Sequence, residues 1–225
     1  MGNTDLVGDV RRLIVFDLDG TLVDSQRDVA ESANQLIAER GGQPLALDTV
    51  TEMVGGGAEL LVHRALEAAG LEPDAEGLRR YLDIYDTRLV QTTVPYPGIP
   101  HALASLAPTP RAVLTNKPRK PADWILTVLG LRHHFVEIVG GDGPFPKKPD
   151  PSGLLHLIDA HGATPGSTVL VGDSPIDVKT AARAGTRCCV VKYGFGFRAF
   201  EGAEPDVAVS IVAHPADLAE TIEAL

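Results

Sequence analysis

Short apolar runs recur along the chain, separated by polar or amphipathic segments. These runs read LIVF (13–16), AVLT (112–115), VEIVG (136–140), TVLVG (168–172) and CCVV (188–191). Each has the length of a strand, is rich in β-favouring residues and is apolar at nearly every position. This is the pattern of parallel strands that are buried on both faces of a sheet.

Amphipathic segments between the later runs predict helices that end at glycines. The segments KPADWILTVLG, PSGLLHLIDAHG and SPIDVKTAARAG end at Gly130, Gly162 and Gly185. Glycine commonly ends helices because it adopts the left-handed backbone conformation without a steric penalty. Strands and helices therefore alternate from AVLT onward, and the predicted fold class is α/β, a doubly wound parallel sheet with a Rossmann-like core.

The stretch from about residue 25 to residue 95 departs from this alternation. It has no convincing strand, and it carries helical patterns such as VAESANQLIAERGG and AEGLRRYLDIYDTRLV before PYPG (95–98) closes it with turn residues. The stretch is much longer than a single crossover helix needs. We therefore predict a helical cap, or lid, domain at 25–95, inserted into an α/β core that comprises 1–24 and 96–225.

Composition and charge narrow the possible partners. The 225 residues carry a formal net charge of −10, which argues against a general nucleic-acid binder because phosphate contacts need a basic surface. No apolar run approaches the roughly 18 residues that span a bilayer, and the start MGNTDLVGDV lacks a signal-peptide pattern. We expect a cytoplasmic protein without a membrane partner. The adjacent Cys188 and Cys189 are interpreted as apolar residues of a buried strand.

Polar side chains follow the strand-like runs where each run ends. In an open α/β sheet, ligands bind beyond the carboxyl ends of the strands, so these side chains are expected at one edge. The candidates are Asp17, Asp19, Thr115, Asn116, Lys147, Lys148, Asp173 and Asp177.

The acids in this set predict a cation. Alternation in an extended segment turns Asp17 and Asp19 to the same side, and Asp173 adds a third carboxylate. Two ionised carboxylates ~4 Å apart repel by about 4 kcal/mol at an effective dielectric near 20. Oxygen ligands without histidine or cysteine favour Mg²⁺ over zinc. An isolated DxD is equally well a turn or a helix cap, but DxDGT directly after a buried strand favours the metal site.

For each of the remaining candidates, the sequence allows a purely structural role as well as a functional one. Thr115 and Asn116 form a neutral cradle for phosphoryl oxygens, or an N-terminal cap for the helix that follows. The KKPDP segment supplies one lysine that counters the acids, or two solvated surface lysines. Asp177 lies one helical turn after Asp173, on the same side, and it could also simply start a helix.

The motifs DLDGT, LTNK, KPDP and GDSPID, in this order around a helical insert, resemble those of the haloacid dehalogenase superfamily of phosphatases. The resemblance covers about residues 11 to 210. It implies a nucleophile at Asp17, a general acid/base at Asp19 and Mg²⁺ held by Asp17, the carbonyl of Asp19 and Asp173. It also implies phosphate contacts from Thr115 and Asn116, an orienting lysine at Lys148 rather than Lys147, and Asp177 behind the metal ligands or as an alternative ligand.

Within the insert, MVGGGAELLVHRAL (53–66) resembles a stretch of bacterial phosphoglycolate phosphatases, and VPYPGIPHAL and TNKP resemble the same group. This resemblance implies phosphoglycolate as the substrate, a small phosphorylated metabolite. Gly55, Gly56 and Gly57 are then expected to form a backbone loop close to the ligand, with a flexible turn as the alternative. Arg64 could meet the substrate carboxylate, although an arginine at that spacing is more often a surface residue.

Other functions remain open from the sequence. The superfamily resemblance also allows a sugar phosphatase, a pyrophosphatase or a phosphomutase, and a phospho-acceptor signalling switch is a rival from another class. A switch should keep its phosphoryl group, so an acid/base at Asp19 beside the acceptor favours turnover. The aromatic stretch at 193–200 and the lack of a clear acid after the last strand, in VSIVAHPADL, leave the substrate undecided. The protein is expected to be a monomer or a homodimer.

Overall fold

The computed structural model describes residues 11–200 and 209–225, so the N-terminal segment MGNTDLVGDV lies outside the described residues. The strands are β1 (Arg11–Phe16), β2 (Val23–Asp24), β3 (Val94–Pro95), β4 (Arg111–Leu114), β5 (Glu137–Val139), β6 (Ala163–Gly172), β7 (Arg187–Val191) and β8 (Ser210–Val212). The α-helices are α1 (Gln26–Glu39), α2 (Leu47–Thr51), α3 (Ala58–Ala68), α4 (Ala75–Asp86), α5 (Ile99–Ser105), α6 (Arg119–Val128), α7 (Ser152–Ala160), α8 (Pro175–Ala184) and α9 (Leu218–Ala224).

Six of the strands form one parallel sheet in the order β5-β4-β1-β6-β7-β8. From β1 the chain first builds outward through β4 and β5, then returns to the other side of β1 and builds outward through β6, β7 and β8. The direction of winding therefore reverses beside β1, and such a reversal opens a crevice at the carboxyl ends of the central strands. The predicted α/β class with a doubly wound sheet is confirmed.

Side chains along each central strand point alternately to the two faces of the sheet, and each face has its own hydrophobic cluster. In β1, Ile14 and Phe16 join one cluster, and Leu13 and Val15 join the other. This division follows from the two-residue period of a strand. In β7 the neighbouring residues Cys189 and Cys188 divide in the same way. Both cysteines are buried and unbridged, which confirms their interpretation as apolar strand residues.

Helices α1 to α4 pack against one another between β2 and β3, with α1 contacting each of the other three. The short strands β2 and β3 pair in antiparallel orientation, so the chain enters and leaves the helical insert side by side. We propose that 25–95 is the cap and that 1–24 with 96–225 is the core. Among the described residues, no helix combines the length and the apolar character that crossing a bilayer requires.

A buried carboxylate holds the two ends of the insert together. Asp28, in the first turn of α1, is fully buried and accepts hydrogen bonds from the backbone N–H and the hydroxyl of Thr92 and of Thr93, at 2.8–3.1 Å. Burial alone would raise the pKa of Asp28, but these hydrogen bonds outweigh it and lower that pKa. The carboxylate is therefore stabilised in its charged form where α1 meets the return segment of the chain.

We expect Asp28→Asn to lower the free energy of unfolding at pH 7 by about 2–4 kcal/mol, because charge-assisted hydrogen bonds are lost in a buried place. Because its pKa is lowered, ionised Asp28 stabilises the fold at pH values above its ordinary pKa of 3.8. This stabilisation is lost as the pH falls below that value. The difference from wild type should therefore shrink towards pH 3. Urea unfolding at both pH values measures it, with the exposed Asp86→Asn as the control. Equal stability of Asp28→Asn and wild type at pH 7 would contradict this account.

Candidate active site

Three acids converge at the carboxyl ends of the central strands. Asp17 follows β1, Asp173 follows the neighbouring β6, and Asp177 lies in the first turn of α8. All three are buried, and each offers a carboxylate oxygen within 4.8 Å of the others. The pairing of β1 with β6 is thus what brings the two strand-end acids together.

Lys148 is the cation that lies among these acids. Its Nζ is 2.9 Å from Asp17 Oδ1 and 2.6 Å from Asp177 Oδ1, and its side chain is only 2% exposed. The neighbouring Lys147 points elsewhere, since its Nζ lies against Gly57 of the insert. The structure therefore places Lys148, rather than Lys147, at the predicted nucleophile.

The acids carry more negative charge than Lys148 balances. Burial raises the pKa of Asp17 to about 6, helped by Asp177 and opposed by Lys148. Burial also raises the pKa of Asp173 well above its usual value, and the charges of Asp177 and Asp17 add to this effect. For Lys148, burial would lower the pKa, but the charges of Asp17 and Asp177 prevail and raise it. A second cation among these carboxylates would relieve their repulsion.

The donor set fits a hard divalent cation. The cluster offers only carboxylate oxygens, which Mg²⁺ prefers. Asp177 has both oxygens engaged: Oδ1 accepts from Lys148, and Oδ2 accepts from the backbone N–H and the hydroxyl of Ser174 in a capping box. Asp17 and Asp173 are the better candidates for direct ligands, and Asp177 is better suited to orienting Lys148.

Asp19 lies in a separate ion pair. Its Oδ1 accepts a hydrogen bond from the hydroxyl of Ser25 at 2.5 Å, and Lys117 Nζ is 2.8 Å from both of its oxygens. Lys117 is buried and was missed by the sequence analysis, although it directly follows Thr115 and Asn116 in the LTNK motif. The signal that could have found it is its place at a strand end, among residues already singled out.

The side chain of Asn116 links three loops. Its Nδ2 donates to the carbonyls of Gly55 at 2.8 Å and Lys148 at 2.9 Å, and its Oδ1 accepts from the N–H of Lys148 at 2.8 Å. A phosphate contact from Asn116 would therefore have to come from its backbone while these bonds stand. Thr115 is buried at the same strand end, and its hydroxyl accepts from the N–H of Lys117 at 3.2 Å.

The glycine loop of the insert reaches the site, whereas Arg64 does not. Gly55 and Gly57 have φ values of +116° and +91° and line the central cavity. A Cβ atom at Gly57 would lie 3.1 Å from Lys147 Nζ and 3.3 Å from the carbonyl oxygen of Asn116, so the loop packs closely against the core. Gly56 packs against Leu60. Arg64 is exposed on α3 and is not among the residues that line the cavity.

The aromatic stretch after β7 forms a further wall of the site. The N–H of Gly196 donates to Asp173 Oδ2 at 2.7 Å, and the hydroxyl of Tyr193 donates to the carbonyl of Thr21 at 3.1 Å. A Cβ at Gly194 would lie 2.1 Å from the carbonyl oxygen of Gly20, and one at Gly196 would lie 2.8 Å from Asp173 Oδ2. Only glycine allows this approach, so the stretch orients Asp173. The aromatic residues mark this stretch in the sequence, but no local pattern there indicates its contact with Asp173.

These elements enclose a small cavity of about 70 Å³. Its floor contains the acids Asp17, Asp19 and Asp173, and its opposite wall is mainly apolar. The wall residues from the insert are Val29, Val54, Leu61, Tyr81, Leu82 and Tyr85. By this measure the cavity has room for only a few water molecules.

The chain is similar to known proteins over most of its length. Residues 14–191 match the family model of haloacid dehalogenase-like hydrolases. A phosphoglycolate phosphatase from Rhodospirillum rubrum is 40% identical, over 82% of this chain and 80% of that protein. One from Chromobacterium violaceum is 37% identical, over 92% of this chain and 96% of that protein. A phosphoglycolate phosphatase from Pseudomonas putida is 36% identical, over 90% of this chain and 77% of that protein.

A solved structure is also similar to this chain over nearly its whole length. The crystal structure of a predicted phosphoglycolate phosphatase from Haemophilus somnus has a TM-score of 0.86 and 30% identity, covering 95% of this chain and 99% of that one. The expectation of a phosphatase enzyme in this superfamily is thereby confirmed. The strand-end acids, the sheet that positions them and these similarities lead to one conclusion: the chain belongs to the haloacid dehalogenase-like hydrolases.

Proposed function

We propose that the protein hydrolyses phosphoglycolate, with Mg²⁺ as its cofactor and an aspartyl-phosphate on Asp17 as the intermediate. The observation that carries this proposal is the position of the Asp17 carboxylate, which lies 2.9 Å from Lys148 Nζ and beside Asp173, with Asp19 two residues further on. A carboxylate can attack phosphorus only where the charge of the phosphate is countered.

Each residue has a defined part in the proposed reaction. Asp17 attacks the phosphorus atom, and the bond to the leaving alcohol breaks while Asp19 protonates the departing oxygen. Asp19 then takes a proton from the water that attacks the aspartyl-phosphate, which releases phosphate and restores Asp17. Lys148 orients Asp17, and Thr115 with the backbone of Asn116 would hold the phosphoryl oxygens. Asp17, the Asp19 carbonyl and Asp173 would hold Mg²⁺, which would supply positive charge to offset the negative charge of the phosphoryl group.

Two observations support phosphoglycolate as the substrate. Several curated relatives, 36–40% identical over most of this chain, are phosphoglycolate phosphatases. The small volume of the cavity, about 70 Å³, also favours an ester of a two- or three-carbon alcohol over a large sugar phosphate. The enclosure of Asp17 together with Asp19 supports turnover rather than a long-lived phosphorylated switch.

We expect Asp17→Asn to reduce hydrolysis of p-nitrophenyl phosphate by at least about 1,000-fold, because the amide cannot act as the nucleophile. Steady-state kinetics with Mg²⁺ measures the effect, and circular dichroism checks the fold. Asp159→Asn, an exposed acid on α7, is the matched control and should keep the wild-type rate. Full activity of Asp17→Asn would rule out this nucleophile.

Mg²⁺ should stabilise the protein more at pH 8 than at pH 5. The pKa of Asp17 is raised from its ordinary value of 3.8 to about 6. Protonation of Asp17 therefore stabilises the metal-free fold at low pH, and this stabilisation is lost as the pH rises through about 6. At pH 5 protons compete with the metal for the same oxygens. Thermal unfolding with EDTA and with Mg²⁺ at both pH values tests this, and an equal shift in Tm would contradict it. EDTA should also abolish hydrolysis, and Mg²⁺ should restore it.

Gly196→Ala should raise the Mg²⁺ concentration needed for half-maximal activity by about 10- to 100-fold, the effect seen when a group that orients a metal ligand is disturbed. The added Cβ would lie 2.8 Å from Asp173 Oδ2, so Asp173 must shift. Mg²⁺ titration of activity measures the change. Ala199→Ser is the control, because Ala199 is exposed and lies with Gly196 in a short 3-10 helix, Phe195–Phe200. An unchanged Mg²⁺ requirement in Gly196→Ala would refute the role of this segment.

A further inference from the structure

The cavity contains a single basic side chain in the described part of the protein. Lys117 is the one lysine or arginine among the described residues that line it, and it is 8% exposed. Lys148 lies behind Asp17, between that residue and Asp177. The charge of Lys117 therefore faces the space beside Asp19, which is where the leaving alcohol must lie if Asp19 is to protonate it.

Lys117 has a donor to spare. An ammonium group carries three N–H donors, and the two oxygens of Asp19, each 2.8 Å away, accept two of them. The Nζ atom also lies 4.8 Å from the centre of the Tyr85 ring, on α4 of the insert. This ring contributes an attractive face but no lone pair, so an anion could still accept the remaining N–H.

The hydroxyl of Tyr85 has no partner in the described residues. Its oxygen is buried and makes no hydrogen bond there, and Tyr85 lines the same cavity. Burial, followed by the charge of Asp19, raises the pKa of Tyr85 well above its usual value, so the hydroxyl keeps its proton and can donate. A buried hydroxyl without a partner destabilises the fold, and an acceptor on a ligand would relieve this cost.

We propose that Lys117 and Tyr85 form the subsite for a carboxylate on the leaving alcohol, so that the enzyme selects phosphorylated hydroxy acids. This inference rests on the proposed function and names the residues that give it its specificity. A carboxylate beside Asp19 would otherwise lie against mainly apolar side chains of the insert. The ammonium of Lys117 would offset its charge, and the Tyr85 hydroxyl would supply a second hydrogen bond.

The same subsite explains how a small cavity can be selective. A site built to hydrogen-bond an anionic group rejects an analogue that lacks it, because the polar groups of the site are then left without partners. Arg64, the sequence-based candidate for the carboxylate, is exposed on α3 and does not line the cavity. The proposed contact to the carboxylate is therefore shared by Lys117, in the loop after β4, and Tyr85 of the insert.

The test compares phosphoglycolate with 2-phosphoglycolamide, in which an uncharged amide of the same shape replaces the carboxylate. The quantity measured is the ratio of the two kcat/KM values, with Mg²⁺ present, for wild type, Lys117→Met, Tyr85→Phe and Arg64→Met. We expect the wild-type ratio to fall by about 10- to 100-fold in Lys117→Met, as for the loss of a charge-assisted hydrogen bond. Tyr85→Phe should lower it by about 3- to 10-fold, and Arg64→Met should keep it.

The ratio separates a specificity role from a purely structural one. If Lys117→Met lowers both kcat/KM values equally, Lys117 acts only through Asp19 and the subsite is refuted. A ratio that falls in Arg64→Met but not in Lys117→Met also refutes it. If Lys117→Met does not fold, Lys117→Gln and Tyr85→Phe carry the same test. A wild type that hydrolyses both esters without preference would also refute the subsite. Failure of the proposed function looks different: the wild type would then hydrolyse neither ester.

Discussion

The buried cluster of carboxylates around one ammonium group is the constraint on which the rest of the site depends. Asp17, Asp173 and Asp177 are held within 4.8 Å of one another with Lys148 between two of them. Such a cluster is costly to bury, because each ionised group loses its hydration. The fold offsets this cost with hydrogen bonds from backbone N–H groups and with a capping box, and the remaining excess of negative charge makes the cluster receptive to a cation.

The loops around this cluster are fixed by contacts among themselves. Asn116 uses both ends of its amide to join the lysine loop to the glycine loop of the insert, and Gly196 brings the segment after β7 against Asp173. The core and the insert consequently share hydrogen bonds at the site. A movement of the insert away from the core would break the hydrogen bond between Asn116 and Gly55, so the position of the insert and the arrangement of the loop after β4 are linked.

The core and the insert contribute different parts of the chemistry. The strand ends of the core supply the proposed nucleophile, the proposed acid/base and the proposed metal ligands. The insert supplies a mainly apolar wall that includes Tyr85. Lys117 belongs to the core but contacts both Asp19 and Tyr85. It therefore connects the acids at the strand ends of the core to the insert.

Local sequence patterns were enough to predict the sheet and the convergence of the acids. Short, nearly continuous apolar runs predict strands that are buried on both faces, and parallel strands carry their end residues to one edge, so Asp17, Thr115 and Asp173 could be placed without coordinates. Tertiary structure alone decided which partners meet across the chain. Asp19 and Lys117 are 98 residues apart, and Asp28 and Thr92 are 64 apart. No local pattern encodes such pairings, and helical periodicity could not tell that Arg64 faces solvent while Tyr85 faces the cavity.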